Sequence, residues 1–65
     1  MSQQEQEALL SAYWQVLRDH YLWHATVGEI AKDCGFPERE VHDVIVQAWK
    51  CGIGVARVEA YAKQN

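Results

Sequence analysis

The residues best spaced to share a metal ion in this sequence are His20 and His24. Four apart on a helix, they would present two ring nitrogens to one side, as zinc sites often do. Spacing points to no third ligand. Two histidines near a helix C-terminus, where positive charge is favoured, is the plainer reading, and no metal is expected. Asp19-His20 and His42-Asp43 are neighbours in sequence, and on a helix such side chains diverge by ~100° rather than form a relay. The two serines, Ser2 and Ser11, sit on no strand-turn-helix elbow. Cys34 and Cys51 form no C-x-x-C pair and read as small buried hydrophobes of a reducing compartment. No catalytic residue and no cofactor is therefore expected, and the chain is not expected to be an enzyme.

The elements that would carry any other chemistry are helices. In the first segment, about residues 3–22, Leu9, Leu10, Tyr13, Trp14, Leu17 and Tyr21 recur at steps of three and four. No Gly or Pro interrupts them, so the spacing predicts one amphipathic helix. Thr26-x-x-Glu29 is a capping-box pattern and starts a second helix over 27–34, which Gly35 ends. Pro37 precedes a third helix over 38–51, with Val41, Val44, Ile45, Ala48 and Trp49 as its apolar stripe. Residues 54–62 admit two readings. Alternation places Ala56, Val58, Ala60 and Ala62 on one side of a short strand, the favoured reading. Val55, Val58 and Tyr61 step by three, which suits a helix. As a strand this segment would offer an unpaired edge, a natural seam between two copies.

The stretch 27–45 resembles the helix-turn-helix superfamily. Ala31 stands where that family needs a small residue at the helix crossing, and Gly35 stands at the turn four residues later. Phe36 follows the turn, and Val41 lies six residues past the Gly. Ile30, Cys34 and Val44 fill the other buried slots. A helix before the stretch and Trp49-Lys-Cys-Gly after it look like a winged-helix domain, although too few residues follow Gly52 for a full wing. The resemblance implies a mostly α fold: one three-helix domain over 1–65 with a short C-terminal strand (a truncated wing) or a fourth helix.

The resemblance also implies a reading helix whose outward residues would meet the major groove of double-stranded DNA. Carried over position by position these are Pro37, Glu38, Arg39, His42, Asp43 and Val46, then Gln47 and Lys50. Arg39 is the guanine reader, Gln47 suits adenine, and His42 suits a base or a phosphate. Lys32, Lys50 and Arg57 are candidate phosphate contacts. Against this, Glu38, Glu40 and Asp43 outnumber Arg39 and Lys50 on the same helix. A solvated charged face is the bland alternative. A protein-binding face is the other, with Trp23, Glu38 and Asp43 as its candidate residues.

Composition bounds the rest. The 65 residues are 49% apolar with three Trp and three Tyr, enough for one small core and no substrate cleft. A core this small leaves a thin margin, which favours a homodimer. Six basic against nine acidic residues give −3, the opposite of a strongly basic nucleic-acid footprint. No apolar run reaches membrane-spanning length, and the acidic start is the reverse of a signal peptide, so no membrane role is expected and a cytoplasmic protein is. A small DNA-binding regulator acting as a homodimer is the leading expectation. The alternative is a protein-interaction module that does not bind DNA by itself.

Overall fold

The computed structural model describes residues 3–64; Met1, Ser2 and Asn65 of the expected 1–65 domain lie outside them. Five helices follow in order: α1 (Gln3–Ala12), α2 (Trp14–Tyr21), α3 (Val27–Cys34), α4 (Glu38–Lys50) and α5 (Val55–Gln64). None is long and apolar enough to cross a membrane. One core joins them, built from Leu10, Val16, Leu17, Ile30, Ala31, Val41, Val44, Ala48, Ile53 and Val58.

The first expected helix is two. The chain bends at Tyr13 (φ −129°, ψ 37°), while Tyr13 N–H still donates to Leu9 O at 2.8 Å and Leu17 N–H to Tyr13 O at 3.0 Å. No backbone breaker is present, so the bend follows tertiary contacts. Tyr13 Oη donates to Glu40 Oε2 at 2.8 Å, and its ring lies 5.3 Å from that of Phe36. The bend lets Leu10 on one side and Val16 and Leu17 on the other enter the same core.

The connection from α3 to α4 is three residues long. Thr26 Oγ1 accepts from Glu29 N–H at 3.1 Å, and Glu29 Oε1 accepts from Thr26 N–H at 2.9 Å, which fixes the start of α3. Gly35 ends it at φ +79°, and the Gly35 and Phe36 N–H groups both return to Ala31 O. Gly52, at φ +85°, closes α4 with the paired bonds of a Schellman turn: Gly52 N–H to Trp49 O at 3.2 Å and Ile53 N–H to Ala48 O at 2.9 Å.

The C-terminal segment is the helix α5, not a strand, and no strand occurs among the described residues. The truncated wing and the edge-strand seam between copies are thereby overturned. A lone strand would have had no partner for its ladder, including His24-Ala25-Thr26, which forms the turn into α3. As a helix the segment buries Val58 and lays Tyr61 against Trp14 at 5.1 Å between ring centroids.

An alanine Cβ at Gly35 would meet nothing within 4 Å, so its cost is the left-handed backbone alone. Gly35→Ala is expected to lose about 1–2 kcal/mol, which lowers the melting midpoint by at least ~4 °C. Gly28→Ala, inside α3 with an ordinary 3.5 Å contact and without a positive φ, is the control and should leave the midpoint unchanged or higher.

Candidate interaction surface on helix α4

Helix α4 has two faces. Val41, Val44 and Ala48, stepping by three and four, are buried under α2 and α3. The opposite face carries Arg39, His42, Asp43, Val46 and Lys50, all exposed, flanked by Glu38, Gln47 and Trp49. Arg39 is 89% exposed, with its guanidinium 3.9 Å from the exposed Asp43, a pair worth little in water. His42 Nδ1 comes to 3.5 Å from Asp43 Oδ1, so these neighbours do approach each other, contrary to the divergence expected of them. Glu40 is withdrawn from this face by Tyr13. That bond, then burial, then the Glu40 charge hold the Tyr13 hydroxyl above its usual pKa.

The remaining expected site residues are dispersed over other elements. Lys32 is exposed on α3. Trp23, just past α2, is 62% exposed, and the Arg18 guanidinium lies 4.0 Å above its ring. Arg57 on α5 is not a free cation: its Nε donates to Gln6 Oε1 at 3.2 Å, and its guanidinium pairs with Glu7. Gln6 in turn donates to Cys51 O at 2.8 Å.

Two features were missed in the sequence. Trp49, assigned to the core stripe, is 77% exposed, the largest exposure among the big apolar side chains of the described residues. The spacing alone gave only a partial signal: Trp49 stands ~100° around the helix from Ala48, at the margin of the buried stripe. The second is Asp19, only 2% exposed. It lies three residues after Val16, on the buried side. Its Oδ1 accepts from Arg18 Nε at 3.1 Å and Nη2 at 3.0 Å, and Cys34 Sγ lies 3.7 Å from its Oδ2.

Asp19, Asp33 and Cys34 bring three ligand-type atoms within 4.8 Å of one another. The Arg18 bonds already occupy one Asp19 oxygen, and the thiol is held protonated. Burial first, then the Asp19 and Asp33 charges, push the Cys34 pKa up. His20 and His24 join no such group among the described residues. A hollow of about 230 Å³ at the α1–α2 bend, walled by Tyr13, Trp14, Cys34 and Phe36, has no carboxylate or histidine in its lining. Comparison with protein-family profiles, curated proteins and solved structures returns no match.

Two titrations are expected to follow. In a Cys51→Ser background, Cys34 should react with iodoacetamide at pH 8 several-fold more slowly than free cysteine, and Asp33→Asn should speed it by removing an exposed negative charge. Equal rates in all three would contradict the raised thiol pKa. Burial, then the neighbouring His24 charge, lower the His20 pKa below its ordinary 6.5. The unfolded chain therefore takes up that proton first as pH falls. Stability present above pH 6.5 should be lost as pH drops through the lower folded value, and His20→Gln should flatten that part of a melting-midpoint series.

Proposed function

We propose that α3, the Gly35–Pro37 turn and α4 form a helix-turn-helix that works as a protein-docking module, with the outer face of α4 as its contact surface. The observation that carries this reading is Trp49, 77% exposed and one turn from the exposed Val46, on a helix whose inner face is core. Trp is enriched where proteins bind one another and tends to anchor the contact. The charges agree. With Glu40 withdrawn, Glu38 and Asp43 balance Arg39 and Lys50, so the face carries no field to attract a polyanion. Arg18 and Arg57 are engaged inside the domain, which leaves few cations for phosphates, and the whole chain is at −3.

A second reading is favoured by one observation: Arg39 stands fully outward in the first turn of α4, followed on the exposed side by His42 and Gln47. In this reading α4 enters the major groove of duplex DNA, Lys32 and Lys50 touch phosphates, and two copies read two half-sites about one turn apart.

Titration into random-sequence duplex at ~50 mM salt separates the two readings. The docking module should show no binding at tens of micromolar protein. Binding that falls steeply with added salt and is lost in Arg39→Ala would overturn it in favour of DNA.

A further inference from the structure

The outer face of α4 is its own complement. Reading inward from the two ends, Glu38 stands opposite Lys50, Arg39 opposite Trp49 and His42 opposite Val46, symmetrically about Val44. All six are exposed. Arg39, His42, Val46 and Trp49 step by three, four and three, the spacing of a helix-pairing seam. The buried stripe Val41, Val44 and Ala48 occupies the other side, so the seam is free of the core.

We propose that the partner docking on this face is a second copy of the chain, its α4 lying antiparallel across the first. This rests on the reading of the face as a docking surface. In the pair, each Glu38 meets the other copy's Lys50 at both ends, each Arg39 guanidinium lies over the other copy's Trp49, and each Val46 packs beside the other's His42. Opposed helix dipoles bring each α4 N-terminus beside the other's C-terminus, where the partial charges attract. An aromatic side chain buries ~150–250 Å². Two Trp49 and two Val46 make a small apolar centre ringed by charged and polar side chains, so the pair is weak. Pairing covers Arg39 and His42, so a paired copy cannot use them on anything else.

Sedimentation equilibrium from ~10 μM to ~1 mM tests this. The average mass of the wild type should climb from one chain toward two. Trp49→Ala should stay monomeric with an unchanged helical spectrum, because the ring it removes is outside the core. Glu38→Lys alone and Lys50→Glu alone should each stay monomeric, since like charges then face each other at both ends. An equimolar mixture of these two variants should associate, because every facing pair again has opposite sign. A wild type that stays monomeric at ~1 mM overturns the pairing while leaving the docking reading to the DNA titration. Association insensitive to Trp49→Ala, or no recovery on mixing the charge variants, overturns it as well.

Discussion

None of the described helices is long enough to be secure alone in water. The longest has 13 residues and two have eight, at or below the length at which an isolated helix is marginal. Each helix therefore exists because its apolar side is covered by the others, and that shared burial orders everything else. Leu10, Leu17, Ile30, Val41 and Val58 come from five different helices and are all fully buried. The demand on α4 is met by its inner stripe alone. Its outer stripe is free to carry charge and a Trp that contribute nothing to the core.

The same economy governs the charges. Asp19 is buried with its neighbour Arg18 folded back onto it, and Arg57 ties α5 to α1. Each guanidinium supplies several donors at once, Arg18 within α2 and Arg57 across the seam from α5 to α1. What remains outside is a surface of mixed charges with an acidic excess. A site that depends on shape and a few anchors suits it better than one that depends on a broad positive field.

The parts legible in the sequence were those set by local backbone chemistry. Thr26 and Glu29 announce a helix start because their hydrogen bonds span only three residues. Gly35 announces a stop because its left-handed φ is a local requirement. The bend at Tyr13 is set by Glu40 and Phe36, far along the chain, and no residue near position 13 signals it. Residues 54–62 fit both periodicities, and what settled the matter was burial of Val58 and packing of Tyr61 on Trp14, with no strand among the described residues to pair with. Trp49 was misplaced because a large aromatic was assumed to belong inside. It lies at the margin of the stripe centred on Ala48, and no neighbouring element covers that margin.

The clasp between Gln6, Glu7, Arg57 and the Cys51 carbonyl has a consequence for the order of events in the cell. Its two sides lie 45 to 51 residues apart in the chain. During synthesis α1 emerges before α2 and α4, on which it packs, and before Arg57 of α5, which completes the clasp. A chain stalled before Arg57 leaves α1 without this latch, a form that chaperones and proteases can recognise.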